Sequence, residues 1–240
     1  MKRFWLIIIF SCYHVISTAD ALRFDAPISV TSASKGVFLH LDSSGRRSLA
    51  VSDELVAVVW EDNRSGKPAV YAAYQVPGKP GFSNPQKVSK ESPAYEPVIA
   101  ALTRNRFIVG WEEGNYVWLR IVSPSKVGAP LKIGKLHAQH ISVATNYDTG
   151  SEAKANVVWS QKNNRDYYIQ YANLIIDGFT IKATEPQLVD NSTDNNVQLY
   201  PVIENSDSGS LVAWEDRRKE RHVFSLHMLI AVNHFRTTAC

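Results

Sequence analysis

Four residues of unlike chemistry stand at matching places in a repeated pattern of this 240-residue sequence. Each comes directly before a short apolar segment, and together they supply a guanidinium, a carboxylate, an imidazole and a phenol: Arg47, Glu96, His140 and Tyr200. These groups offer both signs of charge and both hydrogen-bond donors and acceptors. Unlike groups carried by loops on a constant scaffold are typical of a binding surface. We therefore predict that these four residues bind a ligand, and ordinary variable loop residues are the alternative.

The scaffold that must position them is a repeat centred on tryptophan. Four tryptophans each close a run rich in β-branched residues, at spacings of 51, 48 and 55 residues: Trp60, Trp111, Trp159 and Trp214. Repeats of this length with strand-like composition are typical of propeller blades. The sequence thus predicts an all-β fold, a β-propeller of four-stranded antiparallel blades with four repeats visible. It is either a complete ring or a fragment of a larger propeller.

Each repeat contains signals for four strands. In the first, a polar turn at Glu61–Gly66 separates the tryptophan strand from an aromatic strand at Ala69–Tyr74, which predicts a hairpin. An apolar segment such as Pro97–Ala100 precedes each tryptophan strand and predicts the innermost strand. Proline-led segments, such as Pro85–Val88, follow each of the first three hairpins and fit an edge strand. The fourth repeat lacks one, so we expect Ala26–Val30 to complete it and close the ring.

Recurrence also separates scaffold residues from site residues. A tryptophan at the same place in every repeat is best explained by packing between blades. Asp62 with Arg64, and Asp216 with Arg218, recur at matching turns, where we expect structural hydrogen bonds. His137 lies close to His140 without a third metal ligand nearby. We therefore predict neither a metal site nor a cofactor.

Residues 1–21 have the pattern of a secretion signal. Lys2 and Arg3 precede an apolar core, and Ala19-Asp20-Ala21 forms a small-residue cleavage site. The propeller domain would then span 22–240, exported to the periplasm or the extracellular space. Ile9-Phe10-Ser11-Cys12 is similar to a lipobox, so a lipoprotein anchored through Cys12 is the alternative. No segment is long and apolar enough to cross a membrane, so we predict no membrane span.

Charge excludes some classes of partner. The chain has 26 Lys and Arg against 23 Asp and Glu, a formal net charge of +3. This excess is too small and too scattered to favour nucleic acid. We expect a monomer that binds a glycan or protein ligand.

One pair of repeats resembles a known family. Trp60-Glu61-Asp62-Asn63-Arg64 and Trp214-Glu215-Asp216-Arg217-Arg218 are similar to the Trp-Glu-Asp-x-Arg repeats of bacterial sialidase-like propeller proteins, and the likeness covers about residues 24–228. The resemblance implies the propeller fold. The nearest approach to a sialidase Asp-box, at 205–209, lacks the leading serine and the tryptophan spacing. The arginine triad, Tyr and Glu pair and Asp acid that the family implies cannot be assigned to residues here.

These observations lead to one expected function and one alternative. We expect an exported binding module that recognises a glycan or protein partner through the channel face of the propeller. The alternative is a sialidase-like glycoside hydrolase.

Overall fold

The computed structural model describes residues 26–32, 36–40, 46–90, 93–146, 154–190, 197–206 and 209–217, all of whose regular structure is β. The predicted signal peptide at 1–21, including Cys12, lies outside these ranges. None of the described residues forms a helix that could cross a membrane.

Every strand pairs with its neighbours in antiparallel fashion. The first sheet contains β1 (Leu39–His40), β2 (Leu49–Ser52), β3 (Leu55–Asp62), β4 (Ala69–Gln75) and β5 (Gln86–Lys87). The second contains β6 (Ala94–Leu102), β7 (Arg106–Glu113), β8 (Tyr116–Ser123), β9 (Lys126–Val127) and β10 (Leu131–Ile133). The third contains β11 (Ala138–Asn146), β12 (Lys154–Asn163), β13 (Asp166–Asp177), β14 (Thr180–Ala183) and β15 (Gln187–Leu188). The fourth contains β16 (Gln198–Ser206) and β17 (Gly209–Asp216).

The sheets follow the predicted repeat. Strands β2, β6, β11 and β16 are the inner strands, and each pairs with the strand that carries the tryptophan. The proline-led outer strands are also present, as β5, β10 and β15. The predicted all-β architecture of repeated antiparallel sheets is therefore confirmed, and none of the four sheets closes on itself in the described residues.

Tryptophans hold consecutive sheets together. Trp111 packs in a cluster with first-sheet residues such as Val59 and Ala72. Trp159 packs against the second sheet and Trp214 against the third. Trp111 and Trp159 are completely buried. Because each of these three indoles lies against the sheet that precedes its own, a separate apolar cluster fills each interface between consecutive sheets.

Trp60 lies on the face of the first sheet that points away from the second. It stacks on Tyr71 with ring centroids 6.2 Å apart, and Val30 and Phe82 pack against the same cluster. The segment 26–32 therefore covers the first sheet and forms no strand with the fourth, contrary to the expectation that Ala26–Val30 closes the ring. The physical reason is that no described sheet precedes Trp60, so a nearby apolar side chain buries its face instead.

Replacing Trp159 with alanine should destabilise the fold strongly. The indole is completely buried between the second and third sheets, so Trp159→Ala should lower the free energy of unfolding by about 3–5 kcal/mol. Urea denaturation followed by circular dichroism measures this change. Leu188→Ala is the control because Leu188 is 46% exposed, and its effect should stay within about 0.5 kcal/mol. Equal small effects of the two substitutions would contradict the packing role.

Candidate functional site

The same β-bulge interrupts the inner strand in three sheets. Pairing with the tryptophan strand skips two residues in each, between Tyr95 and Val98, between Gln139 and Ser142, and between Leu199 and Val202. The first skipped residue has a left-handed backbone in every case: φ is 56° at Glu96, 55° at His140 and 53° at Tyr200. Bulges of this kind redirect a side chain out of the regular pleat and are enriched beside functional sites.

The register corrects the predicted position in the first sheet by one residue. Leu49 pairs with the residue two before Trp60, just as Ile99 pairs with the residue two before Trp111. The residue three positions before Ile99 is Glu96, and the residue three positions before Leu49 is Arg46. Arg46, and not Arg47, is therefore the counterpart of Glu96. The error arose because β1 and β2 are separated by residues 41–48, where the other sheets have a two-residue bulge.

Arg46, Glu96, Glu112, His140 and Tyr200 together form what we call the bulge surface. The Arg46 guanidinium joins two sheets, since its Nε lies 2.6 Å from Glu96 Oε2 and its Nη2 lies 3.3 Å from Glu112 Oε1. Arg46 Nη1 also donates to the Glu96 carbonyl oxygen at 3.0 Å. Burial raises the pKa of Glu112, and the nearby Arg46 charge partly opposes this rise.

Carboxylates that directly follow a tryptophan hold the bulges in place. Glu61 Oε2 accepts the backbone N–H of Glu96 at 3.0 Å, and Glu112 Oε1 accepts that of His140 at 2.7 Å. In both cases the carboxylate belongs to the sheet before the bulge. Charge-assisted hydrogen bonds of this type are stronger than neutral ones. These hydrogen bonds offset part of the free-energy cost of the left-handed backbone, and they join consecutive sheets.

A second acceptor follows each of the first three tryptophans by two residues. Trp60 Nε1 donates to Asp62 Oδ2 at 2.7 Å, Trp111 Nε1 to Glu113 Oε2 at 2.8 Å and Trp159 Nε1 to Gln161 Oε1 at 3.4 Å. The same acceptor side chains bind loop backbone N–H groups, those of Arg64, Lys90 and Lys135. The predicted structural role of Asp62 and Arg64 is therefore observed, while Arg218 lies outside the described residues.

His140 and Tyr200 form an aromatic pair across the third and fourth sheets. Their ring centroids are 4.1 Å apart with an interplanar angle of 33°, and Tyr200 is 51% exposed. His140 Nδ1 lies 3.4 Å from Ser160 Oγ. Burial, followed by the positive charge of Arg46, lowers the pKa of His140 to about 4, although Glu215 opposes this shift. The imidazole is therefore neutral at physiological pH.

The predicted site residues thus separate into two groups. Glu96, His140 and Tyr200 occupy equivalent bulges, and the Arg46 and Glu112 side chains connect them. Arg47 instead forms an ion pair with Glu204 on the fourth inner strand, with both side chains about half exposed.

The arginines near the bulge surface are engaged with carboxylates of the chain itself. The pairs are Arg46 with Glu96 and Glu112, Arg47 with Glu204, and Arg217 with Glu215. The three converging arginines implied by the sialidase resemblance would need guanidinium edges left open for a substrate carboxylate. Among the residues that the structure describes, no three His, Cys, Asp or Glu side chains are grouped so that they could hold a metal ion.

Sequence reasoning missed Arg46, Glu61 and Glu112. The two glutamates were assigned to polar turns, although each lies within a strand that continues for two residues beyond its tryptophan. Strand periodicity carries the available signal, because successive side chains point to opposite faces and the residue after a packed tryptophan must point away from that contact.

Comparisons with solved structures give distant likenesses. No family model matches the chain, and no curated protein is similar to it in sequence. A solved structure described as a GH62 hydrolase in complex with xylotriose is similar with a TM-score of 0.37 and 9% identity. The likeness covers 72% of this chain and 65% of that one, so the chain spans less than two thirds of its neighbour. A likeness at this score carries no argument about function.

The left-handed backbone at Tyr200 predicts that glycine is tolerated there better than alanine. Both Tyr200→Gly and Tyr200→Ala remove the ring, but only alanine retains a Cβ that clashes at a φ of 53°. The glycine variant should therefore have the larger free energy of unfolding, by about 1 kcal/mol. Chemical denaturation of the two variants measures the difference. An alanine variant as stable as the glycine variant would contradict the bulge geometry.

The lowered pKa of His140 predicts a loss of stability in acid. In the unfolded chain the imidazole binds its proton near pH 6.5, whereas in the folded chain it does so near pH 4. The unfolded state therefore binds more protons between these values, so the contribution of His140 is complete above pH 6.5 and is lost as the pH falls through 4.

Comparison of wild type with His140→Gln tests this dependence. The wild type should lose more stability than the variant between pH 6.5 and pH 4 in denaturation experiments. NMR titration of the His140 ring should show a midpoint near pH 4. A midpoint near 6.5, or identical pH profiles for the two proteins, would contradict the assignment.

Proposed function

We propose that this chain is a β-propeller binding module that recognises a glycan or protein partner through the bulge surface, with a glycan favoured. The observation that carries the proposal is the His140 and Tyr200 pair beside the Arg46, Glu96 and Glu112 network. An exposed aromatic ring next to fixed polar groups is the combination that binding sites use to orient small ligands.

The chemistry of the surface supports a polyhydroxylated ligand. The Tyr200 ring offers an apolar face together with a polar hydroxyl, which suits a sugar ring with its C–H and O–H groups. The neutral His140 imidazole and the Glu96 carboxylate provide hydrogen-bonding groups for hydroxyls. Protein interfaces, in contrast, use a desolvated core that is depleted in charged residues. The ionic network at this surface therefore favours the glycan over the protein partner.

One observation favours the alternative of a sialidase-like glycoside hydrolase. Glu96 and Glu112 share one guanidinium, and the raised pKa of Glu112 is the direction expected for a general acid. However, Glu112 Oε1 already accepts hydrogen bonds from Arg46 and from the His140 backbone. Its two contacts maintain the bulge, which supports a binding role over a catalytic one. A fluorogenic sialoside assay separates the two functions.

Removal of the Tyr200 ring should abolish most of the binding. Screening the purified protein on a glycan array should identify bound glycans, and titration calorimetry should give their affinities. Tyr200→Ala should weaken binding about tenfold, since one stacked ring contributes about 1 kcal/mol or more and 1.4 kcal/mol corresponds to a factor of ten.

Leu211→Ala provides the matched control for this experiment. Leu211 lies in the same two-stranded sheet and is 43% exposed, but it is not part of the bulge surface. Its affinity should equal that of wild type. Unchanged binding by Tyr200→Ala, or equal losses in both variants, would refute the proposed surface.

Export through residues 1–21 and a monomeric state remain predictions that no described residue tests.

A further inference from the structure

A cleft of about 480 Å³ lies between the second and third sheets, beside the bulge surface. Its volume falls within the roughly 300–1,000 Å³ typical of small-molecule sites. The second sheet contributes Tyr95, Glu112 and the hairpin residue Asn115, whereas the third contributes Gln139, Lys162 and Tyr167. Glu112 belongs both to this cleft and to the bulge surface, so the two are contiguous.

Two backbone hydrogen bonds hold the lining of the cleft in place, one between the two sheets and one within the third sheet. The His137 N–H donates to the Asn115 carbonyl oxygen at 2.8 Å, and the Lys162 N–H donates to the His137 carbonyl oxygen at 3.3 Å. Asn115 and His137 both have left-handed backbones, with φ of 66° and 67°. Asn115 follows Gly114 in the two-residue turn between β7 and β8, where a positive φ is usual. The hydrogen bond from His137 fixes this turn against the third sheet.

Each wall carries a tyrosine opposite a charged residue. Tyr95 pairs with Glu112 across the second sheet and is 43% exposed, and Tyr167 pairs with Lys162 across the third. The Lys162 ammonium lies 5.6 Å from the centroid of the Tyr167 ring. This distance is within the range of a cation–π contact, which holds the ammonium over the ring.

The charged side chains of the cleft differ in how accessible they are to a ligand. Glu112 is occupied by Arg46 and by the His140 N–H, and Glu113 accepts from Trp111 and from the Lys90 N–H. Lys162 is exposed, and none of the described carboxylates pairs with it. Glu113 is buried and Glu112 is half-buried, so of these three charged side chains the Lys162 ammonium is the one most accessible to a ligand.

We infer that this cleft binds a sugar residue that carries a carboxylate, a hexuronate within an oligosaccharide. Lys162 pairs with the carboxylate, Tyr95 and Tyr167 contact the sugar rings, and the Asn115 and Gln139 amides bind hydroxyls. The inference rests on the proposed function in that the ligand is a glycan, and it adds the class of sugar. A simple anion has no sugar ring for the tyrosines to contact. It should therefore bind more weakly than the hexuronate inferred here.

Two matched trisaccharides test the inference by titration calorimetry at constant ionic strength. One is a hexuronate trisaccharide, and the other is the same compound with its carboxyl groups reduced to alcohols. Wild type should bind the acidic sugar about tenfold more tightly. Lys162→Gln should remove this preference, whereas Lys135→Gln, a nearby exposed lysine outside the cleft lining, should retain it. Tyr95→Ala should weaken binding of both sugars. Acetate at the same concentration should not compete.

The outcomes distinguish this inference from the proposed function. A preference that survives Lys162→Gln, competition by acetate, or failure of wild type to bind either trisaccharide would overturn the cleft assignment. The bulge surface would still be tested by the glycan array and Tyr200→Ala. Conversely, if Lys162→Gln and Tyr95→Ala act as expected while Tyr200→Ala binds all glycans normally, the cleft is supported and the bulge surface is wrong.

Discussion

The fold depends on how a buried tryptophan and the two residues after it satisfy their polar groups. An indole between two sheets buries a large apolar area, but its N–H must find an acceptor because an unsatisfied buried donor costs free energy. The residue two positions later supplies that acceptor in three sheets, as Asp62 does for Trp60. The intervening residue points away from the packed face and is free to bind the next sheet. Core packing and the link between sheets therefore come from one tripeptide.

That link explains how unfavourable backbone conformations persist in the inner strands. A left-handed conformation costs an L-residue with a Cβ roughly 1–2 kcal/mol. At Glu96 and His140, the backbone N–H donates to a carboxylate of the preceding sheet, which offsets part of this cost. Since the stabilising contact involves only backbone atoms of the bulge residue, its side chain can vary. This is why a constant scaffold can present a carboxylate at one bulge and an imidazole at the next.

The repeat was predictable from sequence because it depends on side-chain burial, which leaves a pattern at fixed spacing. The tryptophans, the hairpins and the outer strands all followed from that pattern. The position of Arg46 did not, because only the pairing of Leu49 with the tryptophan strand sets the register of the first inner strand. The role of Glu112 could not be predicted from the sequence either, because contacts between sheets join residues that are distant in sequence. The left-handed bulges could not be recognised in the sequence, since Glu and Tyr rarely adopt that conformation and a single His does not identify it.

The electrostatics of the two adjoining surfaces give them different preferences. At the bulge surface, Arg46 is neutralised by Glu96 and Glu112, and His140 is uncharged, so a charged ligand would have to displace internal ion pairs. Hydroxyl groups can instead add hydrogen bonds without breaking them. In the cleft, Lys162 has no such internal partner among the described carboxylates. An oligosaccharide with a neutral residue over Tyr200 and an acidic residue beside Lys162 would satisfy both surfaces at once, with Glu112 at their junction.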